Sequence, residues 1–320
     1  MAENTRINDI ISVEEKLNEI DSQIEKFKKI SREEGIVLSE VIEILENKKN
    51  QLLDGVDAWQ KTLIARHKDR PQAIDYINGI FEGFTELSGD RHVMNDPSII
   101  GGMAYLEGEP VYVIGQEKGR TTDMKIIRNF GMPNPEGYRK ALRIMKLAEK
   151  FKKPVITFVD TPGAYPGIGA EERGQALAIA ENLKQMSQIK VPIVVVVIGE
   201  GGSGGALALA VGDRILMLKY SIYSVIAPEG CASILFRDAV RAPIAANALK
   251  ITADDLLKAG IIDEIIPEPS GGAHRDSQAT LGNVKTAIIK NLNGLMKLTP
   301  EEILNNRYNK FRNMGVITKY

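Results

Sequence analysis

The apolar positions fall into three textures along the 320-residue chain. Residues 1–66 are rich in charge and lack proline, and Ile10, Val13, Leu17, Ile20, Ile24 and Phe27 recur at alternating intervals of three and four. That spacing predicts an amphipathic helix with a coiled-coil-like stripe. Gly35 breaks the period before a second run through Val41, Leu45 and Leu52, so the two runs read as a helical hairpin. Ser12 with Glu15 and Ser31 with Glu34 fit the S-x-x-E capping pattern. The expected role of the hairpin is packing against the main body or another subunit.

From about Pro71 the pattern changes to short apolar runs punctuated by glycine and proline. Strands are predicted over 99–106 and 111–114 around a turn at 107–110, and a helix over 136–151 with Tyr138, Ala141, Leu142, Met145, Ala148 and Phe151 on one face. The continuous apolar run 155–159 reads as a buried strand, followed by a loop and a helical segment over about 170–188. A second cycle repeats this order: strand 191–198, a glycine-rich loop, a short helix around 206–211 and strand 214–218. Buried strands separated by helices imply an α/β fold with a largely parallel core. Residues 267–280 read as a polar loop, and the third texture is a helical tail.

Composition narrows the function classes. With 41 Lys and Arg against 42 Asp and Glu, the chain lacks the basic excess of a general nucleic-acid binder or membrane coat. The longest strongly apolar run, 191–198, contains Pro192 and falls far short of the roughly 20 residues that span a bilayer. The first residues show no basic segment followed by an apolar one, so no secretory signal is predicted and a cytoplasmic location is expected. Cys231 is the one cysteine, which excludes an internal disulfide and a cysteine-based zinc site built by this chain alone.

The most informative segment is Gly199-Glu-Gly-Gly-Ser-Gly-Gly-Ala206, set between a predicted strand and a helix. Gly199-x-Gly201-x-x-Gly204 matches a dinucleotide fingerprint, but the next strand ends Lys219-Tyr220, with Asp213 before it, and offers no acid for a ribose. Gly201-x-Ser203-x-Gly205 matches the nucleophile elbow of serine hydrolases, for which Asp238 or Asp263 and His274 are the available partners. The third reading uses the glycines for their amides: two N–H groups entering a helix can face a developing oxyanion. Close packing accounts for one or two glycines, and five within seven residues call for more.

Asp160-Thr-Pro-Gly-Ala-Tyr-Pro-Gly167 follows the preceding strand and is expected to form a rigid wall facing the glycine loop. No G-x-x-x-x-G-K-[ST] sequence accompanies it, so a GTPase reading fails. Residues 118–153 carry eleven Lys or Arg against three acids. Lys140, Arg143, Lys146 and Lys150 read as a solvated helix face, whereas Lys118, Arg120 and the stretch from Lys125 to Arg128 read as an anion site or a partner contact.

These segments also carry a family resemblance. LSGDRHVMNDPSIIGG, GRTTDMKIIRNFGMPNPEGYRKALRIM, FVDTPGAYPGIGAEERGQA, IGEGGSGGALALAVGDR, YSVIAPEGCASIL and IIDEIIPEPSGGAHR together resemble the carboxyltransferase α subunits of bacterial acetyl-CoA carboxylase, over nearly the whole chain. Where the family pattern reads Gly-His-Gln-Lys-Gly, this chain has Gln116 and Glu117, and Ser88 replaces the histidine of Leu-His-Gly-Asp-Arg. The resemblance implies an α/β crotonase/Clp-protease-like superhelix of β-β-α units, with an N-terminal hairpin at 1–66, the CoA carboxyltransferase domain at 67–295 and a helical C-terminal tail at 296–320. It implies transfer of a carboxyl group from carboxybiotin, carried on a separate carrier protein and not attached to this chain, to acetyl-CoA, giving malonyl-CoA for fatty acid synthesis. Two oxyanion holes serve that reaction, and the biotin nitrogen freed of CO₂ can take the methyl proton, so no side-chain base is required. By the same resemblance the amides of Gly204 and Gly205 hold the biotin ureido oxygen. Gly163, Ala164, Tyr165, Gly202, Ser203, Ala206, Lys118, Arg120 and Arg128 are the expected substrate contacts, with no metal on this chain. The implied partners are a β subunit with a zinc ribbon in an α2β2 assembly, the biotin carboxyl carrier protein and biotin carboxylase, with no membrane or nucleic acid.

Overall fold

The computed structural model describes residues 2–315, with side chains described from residue 15 onward except Asp54. The side chains of Ile10, Ser12 and Val13 and residues 316–320 of the expected tail therefore lie outside the described residues. Helices Ala2–Glu34 and Ser39–Asp54 form the predicted hairpin. Gly35 ends the first at φ +66°, in the left-handed region that glycine enters without a Cβ clash. Neither capping pattern works as predicted: positions 12 and 31 lie inside the first helix, and the second starts after Leu38 without a side-chain cap. A third helix, Ala58–Ala65, was not signalled by the stripe; Asp57 and Gln60 close a reciprocal capping box at its start. Leu17 of the first helix is buried with Leu53, Val56 and Tyr220, which docks the hairpin on the body.

Among the described residues the body is built on eight strands: β1 Glu82–Glu86, β2 Ile99–Leu106, β3 Glu109–Gln116, β4 Val155–Thr161, β5 Ile193–Gly202, β6 Arg214–Leu218, β7 Ile222–Ser224 and β8 Glu264–Ile266. Their order is β1-β2-β3-β4-β5-β6-β8, antiparallel from β1 to β3 and parallel from β3 to β8. β4 and β5 are buried along their whole length, as β-branched runs covered on both faces should be. Helices Pro135–Lys150 and Gln175–Met186 contribute to the core on one face of the sheet, and Ala73–Ile80 and Ser277–Leu295 to that on the other.

Two details of the helix 135–150 differ from its expected pattern. Phe151 caps its C-terminus and is 56% exposed, because the chain turns away there. Lys140, read as solvated, is wholly buried, and its ammonium donates to Asn95 Oδ1 at 2.8 Å and to the Asp96 carbonyl at 2.7 Å. Burial lowers its pKa to about 8. The segment read as one helix over 170–188 is broken at Gly174, φ +83°, into Ile168–Glu172 and Gln175–Met186. The polar loop at 267–280 is shorter than predicted, since the helix Ser277–Leu295 starts inside it, capped by Asp276.

Candidate active site

The site is assembled where β3, β4 and β5 end. β5 changes neighbours midway: its first half pairs with β6, and Glu200, Gly201 and Gly202 pair with Ile222, Tyr223 and Ser224 of β7. The glycine segment is consequently not the predicted loop. Its first half is strand, and a short helix, Ser203–Leu207, starts directly at Ser203. Ser203 is exposed and holds φ +50°, an uncommon conformation for a residue with a Cβ.

The glycines divide sharply by what surrounds them. A Cβ on Gly202 would stand 2.2 Å from the Pro162 carbonyl oxygen, and one on Gly205 would stand 2.5 Å from the Ala164 nitrogen. Gly199 and Gly201 are equally closed, by Asp160 and by the ring of Tyr223. Packing thus accounts for four of the five glycines, more than the sequence pattern suggested. Gly204 is the exception: a Cβ there meets only Ile179, at 3.7 and 3.8 Å. The amides of Ser203, Gly204 and Gly205 open the helix, where no preceding turn supplies a carbonyl to them. Ser203 and Gly204 line a groove of about 540 Å³, with Leu207, Tyr223, Val225 and Ile251 among its other walls.

The loop after β4 packs directly against the glycine turn. Thr161 Oγ1 donates to the Gly131 carbonyl at 2.6 Å and accepts from the Gly163 amide at 3.0 Å. The Tyr165 amide donates to the Pro133 carbonyl at 3.0 Å, and its carbonyl accepts from Gln175 Nε2 at 2.9 Å. Gly163 and Ala164 lie against Gly205, so these sequence-predicted residues come together with Gly202, Ser203, Gly204 and the buried Ala206.

Of the basic residues expected to meet an anion or a partner, Lys118 and Lys125 line a small cleft of about 240 Å³ with Arg66 and Arg70, and its acids Asp160 and Glu200 partner Lys118. Lys118 Nζ sits 2.6 Å from Asp160 and 3.4 Å from Glu200. Arg66 closes on Glu200 at 2.6 Å and on Glu229 at 2.5 Å. Burial opposes the charge on Lys118, but the carboxylates of Asp160 and Glu200 outweigh it and hold the ammonium above the ordinary lysine range. Burial likewise opposes charge on Glu200, and Lys118 and Arg66 together pull its carboxyl below the usual range. Arg120 is paired with Asp75, and Arg128 Nη1 donates to the Pro97 carbonyl at 2.6 Å. Beside them Glu117 is buried, which raises its pKa to about 7 although the Ile74 amide donates to it and Arg128 is near. Sequence reasoning missed Arg66, Glu200 and Asp160 as a charge network. The available signal was an acid inside a glycine run and another at the end of a buried strand, neither of which solvent could reach.

A serine hydrolase finds no support here. His274 stacks on His67 with ring centroids 3.8 Å apart, both lining a separate cleft beside the N-terminal helices. Asp238 accepts from the Val240 amide, and Asp263 accepts from the Ile215 amide and pairs with Lys310. Neither the three residues nor any other histidine lines the groove at Ser203. Among the described residues no group of three or more His, Cys, Asp or Glu is placed to hold a metal ion.

Comparison with known proteins converges on one family. The family profile described as acetyl co-enzyme A carboxylase carboxyltransferase-like matches residues 10–315. The acetyl-coenzyme A carboxylase carboxyl transferase subunit alpha of Geobacter metallireducens is 54% identical over 309 residues, covering 95% of this chain and 97% of that protein. Its counterpart from Methylococcus capsulatus is 54% identical over 310 residues, covering 96% and 97%. Among solved structures, a Pseudomonas malonate decarboxylase hetero-tetramer in complex with coenzyme A matches at TM-score 0.55 and 18% identity, over 67% of this chain and 87% of that one. The transcarboxylase 12S core matches at TM-score 0.53 and 20% identity, over 69% of this chain and 42% of the longer one. At that identity the structures speak for the fold, which is crotonase-like.

Proposed function

The chain belongs to the family of acetyl-CoA carboxylase carboxyltransferase α subunits, and from that premise we propose that the turn 202–206 is the half-site at which the carboxyl group leaves carboxybiotin. The activity is carboxyl transfer to acetyl-CoA, giving malonyl-CoA for fatty acid synthesis. The family is biotin-dependent, and a β subunit is the implied partner.

The observation that carries the half-site is Gly204. Four glycines of the turn would collide with close neighbours if given a Cβ, whereas Gly204 would make only an ordinary contact with Ile179, and it lines the groove at a helix start. No close neighbour therefore requires glycine at this position. The biotin group, when its carrier delivers it, supplies the transferable carboxyl. The amides of Gly204 and Gly205 donate to the oxygen on which negative charge grows, a role that needs fixed dipoles in a site closed to water. Gly163, Ala164 and Tyr165 form the wall opposite, while Gly202 lets the two loops touch and Ser203 and Ala206 complete the turn. Lys118 enters as a brace between the loops and not as an anion receptor. Arg120 and Arg128, engaged elsewhere, drop out of the contact set.

The second oxyanion hole and most CoA contacts belong to the β subunit in this reading, in an α2β2 assembly with a zinc ribbon on β, served by the biotin carboxyl carrier protein and biotin carboxylase. The division into 1–66, 67–295 and 296–320 and a cytoplasmic location are parts of the same proposal. Among the described residues no helix is long and apolar enough to cross a membrane. The test is reconstitution. The isolated chain is expected to form no malonyl-CoA and to gain that activity on mixing with a β subunit. Robust turnover by rigorously pure chain with free carboxybiotin would overturn the split site.

A further inference from the structure

Both loops of the site contain one main-chain group that regular structure leaves without a partner. In the helix 203–207 the Leu209 amide bonds the Ala206 carbonyl, so the Gly205 carbonyl loses the donor four residues on. In β4 the pairing with β3 ends at Phe158, two residues before the Asp160 amide, which points to β3. One buried side chain serves both. Gln116, the last residue of β3, donates from Nε2 to the Gly205 carbonyl at 2.8 Å and accepts at Oε1 from the Asp160 amide at 3.2 Å. The same Asp160 carboxylate accepts from the Glu200 amide at 2.9 Å, so the ends of β3, β4 and β5 are tied through this pair.

We infer that Gln116 is a positioning residue for carboxyl transfer, acting through the peptide planes of the glycine turn; the inference rests on the half-site reading above. A trans peptide holds its C=O and N–H on opposite sides. Pinning the Gly205 carbonyl therefore fixes where the Ala206 N–H points and limits how the Gly204 and Gly205 amides can rotate. The position demands one donor and one acceptor at once. Glutamine supplies both without a charge, and a neutral histidine can do the same. A glutamate would set a carboxylate oxygen against the Gly205 carbonyl, and a methionine would leave both main-chain groups unsatisfied.

The test uses the full chain assembled with a β subunit and measures kcat and KM for acetyl-CoA in Gln116→Met, Gln116→Glu and Gln116→His. Misaligned donors should lower kcat roughly 10- to 100-fold in the Met and Glu variants, with KM within about twofold of the unaltered enzyme, and His should recover most of the loss. A kcat within about twofold of the unaltered enzyme in Gln116→Met, or a loss carried by KM, would overturn the inference. Failure of the Met and Glu variants to assemble while the His variant assembles would make Gln116 a folding residue and overturn it too. Gly204→Val, run in parallel, separates the two readings. If it loses kcat while Gln116→Met does not, only the positioning role falls; if neither loses kcat, the half-site reading falls.

Discussion

Two stretches meet at the carboxyl end of the sheet, with Lys118 3.4 Å from Glu200, and they use opposite kinds of chemistry. In the turn 199–205 the main chain is close-packed except at Gly204, which lines a groove with Ser203. In the stretch 115–128 charged side chains are met by acids or carbonyls distant in sequence: Asp160 and Glu200 for Lys118, Asp75 for Arg120, Pro97 for Arg128. The difference teaches where function can be read. A main-chain site needs glycine at fixed local spacing, so its signature is local. A charge contributes to binding only if nothing else neutralises it, and the neutralising groups are invisible until the chain has folded.

The largest effect should come from breaking the charge side of this contrast. Lys118→Met leaves the buried Asp160 without its cation, while Glu200 keeps Arg66. Removing one partner of such a group costs about 3–5 kcal/mol, measured by denaturant unfolding of the assembled subunit. The deficit should shrink as pH falls and Glu200, whose carboxyl Lys118 helps hold below the usual range, takes up a proton. A cost under about 1 kcal/mol would mean that the network behaves as a solvated surface.

Next in size is the main-chain side. Gly204→Val should lower kcat by about 10² to 10³, the usual loss of an oxyanion donor, with melting temperature and β-subunit binding nearly unchanged. Gly205→Ala should behave differently, losing stability first, because its Cβ would lie 2.5 Å from the Ala164 nitrogen. If Gly204→Val keeps a near-normal kcat in a folded, β-binding enzyme, the assignment of this turn is wrong.

The elements that sequence made legible share a cause. β2, β4, β6 and the helix 135–150 stand close to where the apolar pattern put them, since burial on a sheet face or a helix stripe writes a period into the chain. The strand half of the glycine run was missed because glycine has no side chain to register burial, and its pairing with β7 depends on a strand twenty residues away. Lys140 was misread for a related reason: its partners, Asn95 and Asp96, sit in a separate loop. Of the site, the two loops were legible as glycine and proline motifs. Gln116 and Arg66 were not, because their work is to satisfy groups that only the fold brings near.

A pH experiment sharpens the charge side further. Burial raises the pKa of Glu117 from 4.5 to about 7. Between those values the folded protein keeps a proton that the unfolded chain has released, so stability is full below about 4.5 and is lost as pH rises through about 7. The difference corresponds to roughly 3 kcal/mol at most. Glu117→Gln keeps an oxygen for the Ile74 amide and should remove this slope, making the variant more stable at pH 8 and little changed at pH 4. Parallel stability–pH curves for variant and parent would show that Glu117 titrates as if exposed.

The smallest expected effect tests the contrast most directly, because it acts on a side chain set among the amides proposed to do the work. Ser203 is exposed, lines the groove beside Gly204 and holds φ +50°, the backbone posture of a nucleophile at a strand-to-helix turn. A serine becomes a nucleophile when a base takes its proton, and no histidine lines this groove. Asp255, which does line it, accepts from Thr252 Oγ1 at 2.7 Å, so the Ser203 hydroxyl is expected to stay a poor nucleophile at neutral pH. Ser203→Ala keeps the Cβ and every main-chain amide of the turn, so kcat should stay within about twofold of the unaltered enzyme, far from the loss at Gly204→Val. A fluorophosphonate probe should leave the unaltered assembly unlabelled. Loss of turnover in a folded Ser203→Ala subunit that still binds β, together with labelling of the parent, would move the chemistry from the main chain to the hydroxyl. The turn would then be read by its serine, and the glycines around it would be packing alone.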